Sequence, residues 1–473
     1  MNPRLNTSKN KWISPGTVLI SSQLATINLT KIVMNQETNH PSPVTRRQFL
    51  KTTSIAAAAS AAVMTFPNVL RAESKAPFNV AIIGLGGRGA GAGENFLEAA
   101  KITGVEAKIV ALADLFPEQT EKGQKQFGVP ADKCFSGFDA YQKAIEVPGV
   151  NYVILATPPG FRPAFVTAAV AAGKNIFCEK PVAVDGPGLR MMYAAGEEAK
   201  KKGLKVAAGT QRRHHPPYIE TVKRLHDGAI GDLTTLRAYW VNRGPIWHRG
   251  MKGDTDLERQ IRNWYHYIWL CGDHIVEQHV HNLDVSNWVA GAHPVKAWGM
   301  GARQQLGDKP GEIWDNFGVE YEYASGLHLH SYCGQIEREF GSVSEAAVGS
   351  HGTANPSGEI KTKDGKNWRY EGKTIDAQVQ EHVDLIKAIV SDQEINEIKQ
   401  VTDSTATAIM GREAAYSGAV VVWDDLMNSK FAYGPELMYN DPSKMTWGAF
   451  RTLRPPMPHQ HDIFQDGVVL PVI

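Results

Sequence analysis

The chain has almost no net charge: 50 lysines and arginines stand against 49 aspartates and glutamates in 473 residues, a formal balance of +1. No basic block stands out, so the electrostatic grip that nucleic-acid binding needs is missing and nucleic acid is excluded as a partner. Cysteine is scarce. Cys134, Cys178, Cys271 and Cys333 are scattered and form no C-x-x-C pair. In an exported chain an even count would allow two disulfides, but nothing else suggests a stapled scaffold, and small buried hydrophobes are the expectation. Long apolar runs are missing too. The stretch Ile55 to Phe66 is short and alanine-rich, too weak to span a bilayer, so no stable membrane span is expected in the mature chain.

That stretch follows Thr45-Arg46-Arg47-Gln48-Phe49-Leu50-Lys51, a twin-arginine pattern. A charged region, a short weakly hydrophobic segment and a small residue such as Ala72 before polar sequence make an export signal. The expected partner is the twin-arginine export machinery, and the expected location is the periplasm after folding in the cytoplasm. A start at Met34 would place the arginine pair about a dozen residues in, where such signals sit. Residues 1–33 are therefore expected to be untranslated or unstructured, 34–75 to be signal and linker, with Ala62 as a rival cleavage position to Ala72.

What the chain does have is length for two domains, each able to bury its own core. The first is expected over 76–208. Phe78 to Ile83 is a short apolar run that reads as a buried parallel strand. It leads into Gly84-Leu85-Gly86-Gly87-Arg88-Gly89 and then a helix-compatible stretch from Ala90 to Ala100. A second strand, Lys108 to Ala113, ends in Asp114, about 25 residues past Gly89, the spacing of a ribose-binding carboxylate. Gly84 serves the tight turn, Gly86 the approach of backbone to pyrophosphate, and Gly89 the packing of helix on strand. The free N–H groups of the helix start, around Gly87, then meet the phosphates. Asp114 favours NAD over NADP, whereas Arg88 is a candidate partner for a phosphate. Further strands are expected at Asn151 to Ala156, Asn175 to Cys178 and Lys205 to Ala208. Ligands of such sheets lie beyond the carboxyl ends of the strands, which points to Thr157 and Pro158, Glu179 and Lys180, and Gln211 and Arg212.

Taken together, these segments resemble the Gfo/Idh/MocA family of sugar and inositol oxidoreductases. The matching residues are GLGGRG at 84–89, Asp114, ATPP at 156–159, EKP at 179–181, and the run Cys271 to Asp284 that continues to Trp288 and Gly291. Thr405 to Ala414 resembles the family's late helix. The resemblance covers roughly residues 77 to 426. It implies a doubly wound Rossmann domain, then a second domain over 209–426 built on a large open, mostly antiparallel sheet. The inner face of that sheet covers the nicotinamide; the outer face makes oligomers, here a homodimer or homotetramer. Strand character at Leu233 to Val241, Val295 to Ala302, Asn316 to Tyr323 and Gly326 to Cys333 agrees. The resemblance further places Lys180 beside the reacting carbon, with Pro181 often cis. From 427 to 473 the chain is rich in Pro, Tyr and Met and is expected to lie extended over the domain or a neighbouring subunit.

Alcohol oxidation needs a nicotinamide face, a proton acceptor and a donor for the developing alkoxide. Lys180 supplies the charge, and His281 is the best general acid/base. Glu277, His281 and Asp284, at i, i+4 and i+7, share one face if the segment is a single helix. The family usually carries aspartate where this chain has Glu277, so the usual role of that carboxylate is in question. His274, Glu277 and His281 leave a metal geometrically open, but the spacing matches no strong zinc motif and no metal is expected. Trp240, Arg243, Trp247, His248, Trp264, Tyr265 and Trp269 interleave aromatic and polar groups. They suit a carbohydrate pocket as well as they suit a tryptophan-rich core or subunit interface.

The expected function is hydride transfer between a ring hydroxyl of a sugar, glycoside or inositol and tightly bound NAD, with NADP open. The alternative is a glycosidase that oxidises C3 transiently, eliminates and re-reduces with retained cofactor, using Tyr265 or His214 as an extra base. A non-catalytic dinucleotide or sugar sensor is a third reading, disfavoured by the intact Lys180 and His281.

Overall fold

A computed structural model describes residues 77–244, 250–458 and 460–461. The twin-arginine segment, Met34, and the aromatic-pocket candidates Trp247 and His248 lie outside the described residues. The first half alternates β1 (Phe78–Ile83), α1 (Gly87–Thr103), β2 (Ala107–Asp114), α2 (Pro117–Phe127), β3 (Cys134–Ser136), α3 (Ala140–Ile145), β4 (Tyr152–Leu155), α4 (Arg162–Ala171), β5 (Asn175–Cys178), α5 (Gly186–Lys201) and β6 (Val206–Ala208). The strands form one parallel sheet in the order β3-β2-β1-β4-β5-β6. Helices cover both faces, which is why β1 and β4 are apolar without alternation. The order reverses between β1 and β4, and the crevice at their carboxyl ends is where a ligand sits in such sheets.

The second half is a nine-stranded sheet. Its strands are β7 (Leu233–Val241), β8 (Pro294–Ala302), β9 (Asn316–Tyr323), β10 (His328–Gly334), β11 (Ser342–Gly349), β12 (Gly352–Asn355), β13 (Glu359–Thr362), β14 (Trp368–Arg369) and β15 (Val421–Val422). Their order is β14-β13-β12-β11-β7-β10-β9-β8-β15, with β7 and β10 parallel and every other pair antiparallel. Along β9 the pleat shows directly: Phe317, Val319, Tyr321 and Tyr323 are buried, whereas Gly318, Glu320 and Glu322 are half-exposed on the other face.

The helices after the Rossmann half are α6 (Pro216–His226), α7 (Asp256–Arg262), α8 (Ile268–Cys271), α9 (His274–Glu277), α10 (Val280–Ala290), α11 (Ala377–Ser391), α12 (Ile398–Ser417), α13 (Trp423–Asn428) and α14 (Glu436–Asn440). Helix α12 is buried almost all round, as expected of a helix with little amphipathic character. Helix α11 returns to the first half. Its Val379, Val383, Leu385 and Ile386 join one apolar cluster with Phe78, Val80, Ile82 and Phe96, and the Tyr152 hydroxyl lies 3.0 Å from His382 Nδ1. The Rossmann core is therefore completed by chain that lies between β14 and β15 of the second sheet in sequence.

Two expectations change. The tail is not uniformly extended: α14 and a 3-10 turn at Pro442–Lys444 interrupt it, and Tyr433, Met438, Met445, Leu453 and His461 are buried. The segment around the candidate histidine is not one helix, because α9 ends at Glu277 and α10 begins at Val280. All four cysteines are free, three of them buried. Among the described residues no helix is long and apolar enough to cross a membrane.

Candidate active site

The glycine loop closes the switch point of the first sheet. Gly84 adopts φ +92°, and a Cβ there would stand 2.8 Å from the Ala156 backbone; only glycine fits both demands. A Cβ on Gly89 would lie 1.8 Å from the Gly84 carbonyl oxygen, whereas Gly86 and Gly87 face open space. The division of labour among the glycines is thus visible. Two pack the turn, and two leave the start of α1 bare toward a cleft of about 790 Å³.

The cleft is lined by that loop, by Asp114, Thr157 and Pro158, and by Phe116, Phe138, Lys122, Lys252, Arg262 and Trp264. Asp114 accepts hydrogen bonds from the Leu85 N–H (2.7 Å) and the Phe116 N–H (2.9 Å). Burial pushes its carboxyl upward, against those two donors. The Thr157 hydroxyl is buried without a protein partner. A bare helix start, a carboxylate at the end of β2 and an orphaned hydroxyl between them fit a dinucleotide. Arg88 lines the cleft, but its guanidinium is already engaged by protein partners. It is bound to Glu179, to Glu381 (3.4 Å) and to Asn95 (3.0 Å), because α11 brings Glu381 against the loop.

The strand β5 ends at Cys178, just before Glu179, and the Lys180–Pro181 peptide is cis. Lys180 Nζ donates to the Glu277 carbonyl oxygen at 2.8 Å and reaches Glu277 Oε1 at 3.4 Å. The carbonyl is available because α9 stops there, leaving a helix-end acceptor without a backbone donor. Glu277 Oε2 is buried and has no protein partner; burial raises the carboxyl while Lys180 pulls it down.

His281 follows at the start of α10, stacked on Trp240 of β7 with ring centroids 5.8 Å apart and planes at 21°. Burial, then Lys180, Arg212 and Arg88, hold its imidazole well below the usual histidine range, so the ring is neutral. The Trp240 indole N–H and the Asn282 side-chain oxygen are buried nearby without protein partners. Tyr265 is buried behind Glu277, and burial together with that carboxylate holds its phenol well above the usual range.

Other candidates fall differently. Arg212 is ion-paired to Glu345, which also accepts from Asn282 Nδ2 at 2.6 Å. Gln211 opens the 3-10 turn Gln211–His214 and is half-buried. Asp284 is consumed by Arg213 (3.0 Å), Ser404 (2.7 Å) and Gln400 (3.2 Å), so it braces α10 against α12 rather than facing a ligand. Arg243 is exposed at the end of β7 and does not line the cleft. Among the described residues no three His, Cys, Asp or Glu gather to hold a metal. His274 is instead a buried neutral ring, pushed down to about 3 by burial. Sequence reasoning missed Phe116, Phe138, Arg262 and Glu381. The first two carry a usable signal, since they lie just past the carboxyl ends of β2 and β3; the others are delivered by distant helices.

Comparison with known proteins agrees with this architecture. The model of the Gfo/Idh/MocA oxidoreductase family, NAD-binding Rossmann fold, matches residues 78–210, and that of the Gfo/Idh/MocA C-terminal domain matches residues 218–355. The chain belongs to this family. Scyllo-inositol 2-dehydrogenase (NAD(+)) of Bacillus subtilis is 26% identical over 41% of this chain and 50% of its own length. Inositol 2-dehydrogenase of Gluconacetobacter diazotrophicus is 27% identical over 46% and 56%. The chain thus spans about half the length of these curated relatives. Two solved structures share the fold. Aldose-aldose oxidoreductase from Caulobacter crescentus, complexed with glycerol, superposes with TM-score 0.59 at 22% identity, covering 73% of this chain and 100% of that one. Scyllo-inositol dehydrogenase from Lactobacillus casei, with bound NAD(H) and scyllo-inositol, gives 0.57 at 20%, covering 74% and 100%.

Proposed function

We propose that the protein transfers a hydride between a ring hydroxyl of an inositol, sugar or glycoside and NAD. The observation that carries this reading is the buried pairing of Lys180, just past β5, with Glu277, close enough to His281 for the lysine charge to act on its ring. NAD, when bound, supplies the hydride acceptor. Lys180 stabilises negative charge as the substrate hydroxyl becomes an alkoxide. The neutral His281 ring takes the hydroxyl proton. Burial and three cations disfavour its protonated form, so the proton it takes is released to water, as the one proton that alcohol oxidation by NAD sets free. Glu277 holds Lys180 in place, and its unpaired oxygen, with the Trp240 N–H and the Asn282 oxygen, is ready for further substrate hydroxyls. Asp114 at the ribose and the engagement of Arg88 elsewhere favour NAD over NADP. The relatives named above are dehydrogenases, and transient-oxidation glycosidase chemistry gains no support from them.

The test is NADH formation by the purified chain with a panel of inositols, aldoses and glycosides. Failure to reduce bound NAD with any ring polyol would overturn the reading. We also propose export through the Arg46-Arg47 signal, checked by cell fractionation of a Lys-Lys variant. Self-association is proposed through the outer face of the nine-stranded sheet, where Met300 is 76% exposed. Mass measurement by light scattering checks it.

A further inference from the structure

The adenosine end of the cleft is walled by chain that belongs to neither sheet. Phe116 lies two residues past the ribose carboxylate Asp114, and Phe138 lies past the end of β3; both line the cleft. Trp447, from the C-terminal segment, stacks on Phe116 with centroids 5.8 Å apart and planes at 22°. It leans on Phe138 at 4.8 Å and 53°. Phe116 also carries the Arg262 guanidinium, 3.9 Å from its ring centroid, and Arg262 is itself held by Glu118 (2.6 Å) and Glu258 (2.8 Å). Pro442 adds a second part of the C-terminal segment to the lining.

This segment is fastened both to the Rossmann half and to the chain that follows it. On the Rossmann side the Tyr433 N–H donates to Asp185 at 3.0 Å, and the Tyr439 hydroxyl bonds the same carboxylate. On the other side the Leu257 N–H donates to the Gly448 carbonyl (3.3 Å) and Gln260 Nε2 to the Arg451 carbonyl (2.8 Å). The Leu453 N–H reaches Glu312 (3.1 Å), and the Trp314 indole N–H reaches the Pro456 carbonyl (3.1 Å). Trp447 nevertheless stays 41% exposed. A tryptophan tied into two cleft-wall rings yet left half open is placed as a clasp rather than as core.

We propose that the segment 433–458 is a strap across the adenosine half of the NAD site, with Trp447 clasping Phe116 and Phe138, and that it makes the nucleotide a slowly exchanging, resident cofactor. The inference rests on the NAD-binding reading above. Flexing the wall open breaks the Trp447 contacts, so the strap acts on the release rate more than on capture. Two aromatic contacts correspond to about 10- to 100-fold in that rate.

The experiment uses the full purified chain loaded with NAD, freed of excess nucleotide and mixed with isotopically labelled NAD, with exchange followed by mass spectrometry. The parent is expected to exchange slowly, and Trp447→Ala about 10- to 100-fold faster. Trp447→Phe, which keeps an aromatic clasp, should stay within a few-fold of the parent. Melting of the nucleotide-free proteins controls for folding. If Trp447→Ala lowers it, Phe138→Leu, which removes the opposite side of the clasp, should speed exchange in the same direction. Equal exchange rates with and without the clasp overturn the strap alone. A chain that binds no NAD overturns the strap and the dinucleotide reading together.

Discussion

Replacing Lys180 by methionine keeps the length and most of the volume of the side chain but removes one buried cation and its hydrogen bonds. The structure sets the scale. Lys180 is 12% and Glu277 8% exposed at the side chain, and Nζ serves both the Glu277 carbonyl (2.8 Å) and Oε1 (3.4 Å). Removing one partner of a buried pair costs about 3–5 kcal/mol when the other charge stays behind. Here burial already raises the Glu277 carboxyl, so protonation relieves part of that, and a loss of about 2–3 kcal/mol in folding stability is expected. Catalysis should suffer separately. Losing the charge that meets a developing alkoxide costs about 10²–10³ in kcat, while NAD, whose proposed contacts are the glycine loop and Asp114, should bind within a few-fold of the parent. The two effects separate in a double variant. Lys180→Met with Glu277→Gln should recover most of the stability and none of the activity. The assays are chemical denaturation, NAD titration by fluorescence and steady-state NADH formation. A Lys180→Met protein that keeps kcat within tenfold of the parent would refute the assigned role.

Three further outcomes follow from the geometry. Gly89→Ala sets a methyl 1.8 Å from the Gly84 carbonyl oxygen, so it should lower stability by about 1–3 kcal/mol. Gly87→Ala, whose methyl meets no protein atom within 4 Å, should leave melting unchanged and weaken only NAD, as a thermal-shift series with and without nucleotide would show. Asp114→Ala should cost NAD roughly tenfold or more in affinity and narrow its preference over NADP, read from parallel titrations of both; an unchanged ratio would dismiss the ribose contact. Stability should fall toward both acid and alkali. His274 and His279 are pushed to about 3 by burial. The unfolded chain therefore gains protons that the folded one refuses as pH drops below about 6.5, costing about 2 kcal/mol per ring by pH 5. His214 has the opposite sign. Burial opposes its charge, but Glu397 and Asp384 raise it to about 10, so its contribution is whole below about 6.5, declines above that and is lost as pH rises through about 10. Denaturation across pH should show that the alkaline decline flattens in His214→Asn.

The sequence alone determined the local half of this protein. A buried parallel strand, a glycine turn and a helix start are consecutive in the chain, so β1, the loop at Gly84 to Gly89 and Asp114 were legible, as was Lys180 at the end of β5. Four of the nine strands of the second sheet, β7 to β10, were legible as well, because half-buried strands alternate with period two. Only the tertiary structure decided what long-range packing sets. Arg88 reads as a free cation beside the phosphates, whereas α11, nearly 300 residues on, sets Glu381 against it. Asp284 reads as a substrate ligand until Arg213, Ser404 and Gln400 surround it. Glu277 and His281 share a helical face on paper, but the break after Glu277 separates them, and that break frees the carbonyl that Lys180 needs. The C-terminal segment, without a helical or strand period, gave no sign that Trp447 would pack on Phe116 and Phe138 of the cleft wall. Periodicity reports which face of an element is buried, not which distant element buries it, and the partners of a charged group are chosen at that second step.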